Sequence, residues 1–303
     1  MAIVLAAAIA FLFINEKLGM IEGLRLANLY AYLGLNGEIV SDSDFCVWFL
    51  DVGQGECSVI KTPDGAVLID SGEYEYAEEV ISLLKRLGVT KLDYCIVSHS
   101  HTDHSGGMPE ILRSFGADIF LCSKADREYA DQSETTKEIY KAAEKYCGSI
   151  IAVERGYHFD LGETEFTVLS PGCDYEELND SSLVIRMTYS NVSFLFTGDV
   201  ESSAEEEMLT NCRTLLSSDI LKVPHHGSQT SSSESFIAAV KPKVAVISCG
   251  KDNEYGHPHL VVLKTLFEYG AEIYRTDLQG TVMIEVDTDG VYSVRTNKAK
   301  SAA

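Results

Sequence analysis

The chain has 303 residues, 46% of them hydrophobic, with 24 basic against 46 acidic side chains and a formal net charge of −22. Apolar content this high, with only 6 prolines, excludes an intrinsically disordered chain, and the length suits one large α/β domain or two small ones. So acidic a surface repels polyphosphate at long range, which disfavours a stable basic groove for nucleic acid and leaves contact through a bound metal open.

The N-terminus opens on an apolar run, Ala2 to Ile14, with no Lys or Arg before it. It is shorter than the roughly 20 residues needed to cross a bilayer upright. A second apolar stretch, Leu24 to Leu35, is interrupted by Arg25 and Asn28. Residues 1–35 read as a hydrophobic segment acting as a membrane anchor or uncleaved signal, giving a membrane-anchored or extracytoplasmic protein. The alternative is a terminal helix packed on the domain or on a partner chain, in a cytoplasmic protein.

After the polar break at 37–44, Phe45 to Leu50 is a strand-like apolar run, and DVGQGE turns the chain into CSVIKT. PDG at 63–65 marks a turn before AVLIDSG, so these segments form a hairpin. Ala77, Val80, Ile81, Leu84 and Leu87 fall at helical spacing, and Gly88 ends that helix. Lys91 to Val97 is again a strand, and strand, helix, strand indicates a layered α/β fold. Further helices are expected at 108–115, 135–146, 202–209, 233–240 and 260–269. Further strands are expected at 118–121, 149–153, 165–170, 182–189, 192–197, 220–223, 244–248, 272–275, 281–287 and 291–295. No low-complexity linker divides residues 45–296, which read as one domain of two similar βαβ-rich halves. The 8 cysteines are widely spaced without a CxxC pair, and Cys57 and Cys95 fall inside apolar strands, which favours free structural thiols.

The densest chemical signal is SHSHTDHSGG at 98–107, between a strand and a helix. Three His and one Asp within six residues place four good metal ligands on a short piece of backbone. His99 and His101 are two apart, so in extended chain they project to one side, while Asp103 and His104 lie past the bend and can serve a second ion. Asp51 and Asp70 stand at strand ends beside glycines, where they would orient ligand imidazoles or, alternatively, cap turns. Ser228 to Ser235 reads as a helix N-cap region, His158 carries no motif and reads as a plain surface or strand residue, and the role of His259 stays open.

HSHTDH resembles the HxHxDH signature of the metallo-β-lactamase fold, a four-layer αβ/βα sandwich with two mixed sheets face to face and one or two metals at their edge. FLDVGQGECSVIKTPDGAVLIDSG, LDYCIVSHSHTDHSGGM, NDSSLVIRM, FLFTGDV, LKVPHHGSQTSSS and YGHPH occur in the order found in the hydrolase domain of the ComEC/Rec2-class competence proteins. The resemblance covers roughly residues 45–290. It departs at Glu56, where that class usually has Asp, and in lacking a run of channel helices, so the expectation is a hydrolase and not a DNA transporter.

The resemblance implies two divalent cations, Zn²⁺ or Mn²⁺, with Asp199 bridging them. Asp180 matches a position where many relatives place a third His, so one site would be His99, His101, Asp180 and Asp199. The alternative for Asp180 is a turn or cap. The other site would be Asp103, His104, Asp199 and His226, the His before Gly in VPHHGS. His225 would then bind an oxyanion or protonate a leaving group, with His257 as a second substrate contact, and an exchange of His225 and His226 stays open. Three carboxylates among the ligands make Mn²⁺ a serious competitor of Zn²⁺. The leading function is hydrolysis of phosphodiesters, small or in nucleic acid met at the metals. The alternatives are hydrolysis of a lactone, β-lactam or thioester, and a metal-binding module without turnover.

Overall fold

The computed structural model describes residues 39–41, 43–128 and 133–298. The apolar segment 1–35 lies outside them, and among the described residues no helix is long and apolar enough to cross a membrane.

The chain first builds one sheet from β1 (Cys46–Phe49), β2 (Ser58–Thr62), β3 (Gly65–Ile69), β4 (Leu92–Ile96), β5 (Ala117–Ser123) and β6 (Cys147–Val153). It then builds a second from β7 (His158–Leu161), β8 (Thr164–Ser170), β9 (Val184–Tyr189), β10 (Val192–Phe196), β11 (Ile220–Lys222), β12 (Val244–Ile247) and β13 (Glu272–Arg275). The last strands, β14 (Val282–Val286) and β15 (Tyr292–Thr296), return to the first sheet, where β14 pairs with β1 in the register Val47 to Ile284. The sheet orders are therefore β15-β14-β1-β2-β3-β4-β5-β6 and β13-β12-β11-β10-β9-β8-β7. This return amends the reading of two similar halves, because the C-terminal hairpin belongs to the sheet built by the N-terminal half. Sequence reasoning also left out β7, a four-residue strand whose burial alternates on a sheet edge.

Nine helices among the described residues complete the layers: α1 (Ala77–Arg86), α2 (Thr102–Ser105), α3 (Met108–Phe115), α4 (Lys124–Glu128), α5 (Glu134–Tyr146), α6 (Ser202–Asn211), α7 (Glu234–Val240), α8 (Leu260–Glu268) and α9 (Thr276–Gln279). In α1 the apolar positions Val80, Ile81, Leu83 and Leu84 are buried, with Glu78 and Glu79 in the first turn and Lys85 and Arg86 in the last, each suited to the helix dipole. Ser233 caps α7 by accepting from the Phe236 amide, as its Ser-rich approach predicts.

Three apolar layers separate four layers of secondary structure. α1, α3 and α5 pack on one sheet through Val80, Leu84, Ile111 and Ile139. α6, α7 and α8 pack on the other through Met208, Phe236 and Leu266. Between the sheets lies a core in which Phe45 stacks on Tyr189 at 4.1 Å and Phe49 on Phe196 at 5.9 Å. Aromatic pairs of this kind add roughly 0.5–1.5 kcal/mol each beyond their burial. Cys57 and Cys95 are buried free thiols within this framework. Because β3–β4 and β10–β11–β12 are parallel, their C-terminal ends meet along one edge of the sandwich, and the loops leaving them carry the histidines.

Candidate metal centre

The loop after β4 delivers His99 to His104, the loop after β10 delivers Asp199, the turn after β11 delivers His225 and His226, and the loop after β12 delivers His257. Asp103, His104, Asp199 and His226 converge so that one ligand atom from each lies within 4.8 Å of the others. His104 Nε2 lies 3.0 Å from Asp199 Oδ1, and His226 Nε2 lies 3.2 Å from Asp103 Oδ2 and 3.5 Å from Asp199 Oδ2. Ligand atoms bound about 2.0–2.2 Å from a common divalent ion would stand about 3.3 Å apart, so the spacing fits a cation. Apart from each other, buried His104 Nε2 and Asp199 Oδ1 have no hydrogen-bond partner, so a shared cation would complete their polar contacts.

Each imidazole is turned by a bond to its other nitrogen. His104 Nδ1 meets Asp70 Oδ2 at 2.8 Å, and Asp70 also accepts from the amide and hydroxyl of Ser98. His226 Nδ1 meets the Ser248 carbonyl at 2.9 Å, and His99 Nδ1 lies 3.1 Å from the Ser98 hydroxyl and 3.3 Å from that of Ser182. All three leave Nε2 facing inward, the arrangement by which outer partners fix the tautomer of a metal-binding His. His99 Nε2 faces His101 Nδ1 at 3.0 Å, so these two nitrogens present a second, adjacent pair of donors.

The electrostatics favour positive charge at this point. Burial pulls the His104 imidazole down, yet Asp199, Asp70 and Asp103 together hold it well above the ordinary value. Burial likewise pushes the Asp199 and Asp103 carboxyls up, and the facing His104 and His226 outweigh it, holding both well below the carboxylate range. His99 is pushed well down by burial and by His104.

His225 and His226 sit in a turn where both adopt left-handed backbone, with φ of 49° and 53°. Such a conformation costs a non-glycine residue about 1–2 kcal/mol, and here it aims two consecutive imidazoles into one cleft. His226 belongs to the four-group cluster, whereas His225 stands beside it with Nε2 3.7 Å from Asp199 Oδ2 and Nδ1 3.2 Å from Glu201 Oε1. The ring of His257 lies 5.7 Å from that of His225, and burial with the neighbouring His226, His225 and His259 lowers its pKa to about 4. Gly55 is required nearby, because a Cβ there would stand 2.5 Å from the backbone oxygen of Asp103.

Two of the sequence candidates stand differently. Asp180 Oδ1 accepts from the amides of Glu201 at 2.8 Å and Ala204 at 3.3 Å, so this carboxylate caps the start of α6, and it is not part of the cluster. Asp51 Oδ2 pairs with Lys298 at 3.1 Å, away from the imidazoles.

Sequence reasoning missed three supports. Buried Asp126 holds the peptide between His99 and His101 by accepting from the amide and hydroxyl of Ser100, and from Tyr140 at 2.7 Å. Fully buried Lys222 pairs with fully buried Glu56 at 2.5 Å, tying the GQGE turn to β11 of the other sheet. Glu201 accepts from Asn179 and holds His225. A signal existed for Lys222, a lone charge in an apolar run, whereas Asp126 and Glu201 have no local one.

The centre opens into a cleft of about 860 Å³, lined at its floor by Asp103, Asp199, His225 and His226 and on its walls by Gln54, Glu73, Glu254, Tyr255 and His257. Among the described residues no Lys or Arg lines it.

A sandwich of this topology with histidines and aspartates at the strand ends is a metallo-β-lactamase-type centre, and residues 50–251 match the model of the metallo-β-lactamase superfamily. The chain belongs to that superfamily. It is 33% identical over 252 residues to ComE operon protein 3 of Bacillus subtilis, covering 77% of this chain and 32% of that protein. It is 30% identical over 268 residues to competence protein ComA of Neisseria gonorrhoeae, covering 88% and 36%, and 32% identical over 246 residues to recombination protein 2 of Haemophilus influenzae, covering 79% and 29%. The chain thus spans about a third of the length of these relatives. Among solved structures, YhfI of Bacillus subtilis superposes with a TM-score of 0.52 at 13% identity, over 83% of this chain and 100% of that one. CmlA, a diiron β-hydroxylase from Streptomyces venezuelae, superposes with a TM-score of 0.52 at 13% identity, over 87% and 60%. These two share the fold alone.

Proposed function

We propose that the protein is a metal-dependent hydrolase of phosphodiesters, with divalent cations, Zn²⁺ or Mn²⁺, held by His99, His101, Asp103, His104, Asp199 and His226. The observation that carries this is the cluster of buried His104, Asp199 and His226 with partly exposed Asp103, at the floor of an open cleft that no Lys or Arg lines among the described residues. Among the described residues a β-lactam would find no basic side chain for its carboxylate there, whereas a phosphodiester brings its single charge to the floor itself. Similarity to proteins named for competence and recombination supports a nucleic-acid substrate. A membrane or extracytoplasmic location belongs to the same reading and is supported by the apolar runs within 1–35.

Bound cations would supply Lewis acidity and an activated water. The protein's own part is to set the geometry. Asp70 and the Ser248 carbonyl fix two imidazoles, Asp199 reaches both sides of the centre, and His225, braced by Glu201, is placed to pass a proton to the departing oxygen.

Bis(p-nitrophenyl) phosphate, single-stranded DNA, nitrocefin and an acyl thioester, each offered with Mn²⁺ and with Zn²⁺, form the test. Hydrolysis of the first two and not of the last two is expected. Turnover confined to nitrocefin or the thioester would replace the reading with the acyl-hydrolase alternative, and turnover of none with stoichiometric metal bound would leave a metal-binding module.

A further inference from the structure

Tyr255 is a large aromatic side chain left 62% exposed on the wall of the catalytic cleft. Its ring lies over that of His257 at 5.6 Å and 24°, and His257 meets His225 edge to face at 5.7 Å. A continuous path of rings therefore runs from Asp199 at the floor, through His225 and His257, to the outer face of Tyr255. The loop that carries it is fastened. Asn253 donates to the carbonyls of Gly250 and His257 and accepts from the His257 amide at 2.9 Å, while the Gly250 amide donates to Gln54. The backbone on either side of Tyr255 is thus pinned by hydrogen bonds, and its ring rests against that of His257.

The charge around it limits what it can meet. Glu73 and Glu254 share the cleft and, among the described residues, no Lys or Arg does, so phosphates beyond the one at the floor would find no cation on its described walls. Affinity for the rest of a nucleic-acid ligand then has to come from uncharged contact, and stacking on an aromatic face supplies it for any base. Paired bases are already stacked and covered, so a single strand is the form that can use it. Resting on the phosphodiester reading above, we propose that Tyr255, backed by His257, is the stacking platform for the nucleobase next to the scissile phosphodiester of single-stranded nucleic acid.

Two phosphodiesters with a common p-nitrophenyl leaving group test this, the thymidine 5′ ester and the base-free methyl ester, on wild type, Tyr255→Ala and Tyr255→Phe. Tyr255→Ala should lower kcat/KM on the thymidine ester about 5- to 100-fold more than on the methyl ester, mostly through KM, and Tyr255→Phe should restore it. An equal loss on both esters would overturn the platform. A second readout needs no turnover: quenching of 2-aminopurine in a dinucleotide whose linkage is a methylenephosphonate, which keeps the anionic oxygen and resists hydrolysis. Wild type and Tyr255→Phe should quench and Tyr255→Ala should not. Quenching that survives in Tyr255→Ala, or is absent in wild type, overturns the inference. If wild type hydrolyses neither ester, the phosphodiester reading fails, and the quenching decides the platform by itself.

Discussion

His104 and Asp70 meet at 2.8 Å, Nδ1 to Oδ2, with both side chains fully buried. Asp70 holds this position on a left-handed backbone, φ 57°, directly after β3, so the strand end and not a flexible side chain sets the imidazole plane. Asn tolerates the same backbone. Asp70→Asn should therefore keep the fold and weaken metal binding about 10- to 100-fold, the usual cost of losing an outer partner. Chelator competition with circular dichroism as the fold control measures it, and unchanged affinity would remove Asp70 from the centre.

Lys222 and Glu56 form an ion pair with neither side chain exposed, and Lys222 also donates to the Val223 carbonyl at 2.9 Å. Removing one partner strands a buried charge. Lys222→Met should cost about 3–5 kcal/mol, and adding Glu56→Gln should recover much of that loss. Denaturant unfolding of the two singles and the double gives the coupling; simple additivity would show that the pair is not a unit.

The longer helices, most strands and the histidine loop were legible because their signals are local: buried β-branched runs, helical spacing in 77–87, and four ligands within six residues. The supports were not, because each joins distant segments. Asp126 reaches back 26 residues to Ser100, and Glu56 lies in the turn between β1 and β2 while Lys222 ends β11 in the other sheet. Asp51 looks like Asp70 in sequence, an acid at a strand end beside glycine, and only tertiary placement sends one to His104 and the other to Lys298.

Glu205 gives a pH-dependent term in stability. Its carboxylate accepts from the amides of Ser232 and Ser233, but burial pushes its pKa from 4.5 up to about 7. The folded state thus binds this proton more tightly than the unfolded chain. Its contribution is full below about pH 4.5 and is lost as pH rises through 7. Between pH 5 and 8.5, wild type should lose about 2–3 kcal/mol more than Glu205→Gln, which mimics the neutral acid. Urea unfolding at the two pH values checks it, and parallel losses would refute it.

Asp180→Ala should remove the cap on the start of α6 and cost about 1 kcal/mol, read as a lower Tm. Metal stoichiometry by native mass spectrometry separates this from ligation. A cap alone leaves the bound metal unchanged, whereas loss of one ion would make Asp180 a ligand of the His99 and His101 side as well.

The adjacent histidines give the sharpest contrast. His226 is buried, bonded through Nδ1 to the Ser248 carbonyl, and faces both Asp103 and Asp199, so His226→Ala should lower metal stoichiometry and, through that, all turnover. His225 is partly exposed, and its Nδ1 side is taken by Glu201 and Thr230. His225→Ala should keep its metal and lose rate about 10²- to 10⁴-fold, the range for removal of a general acid. The loss should be largest on substrates with poor leaving groups, which most need that proton, and smallest on p-nitrophenyl esters. Metal loss in His225→Ala with full retention in His226→Ala would exchange their roles, since removing the imidazole that contacts the cation empties a ligand position and removing its neighbour does not.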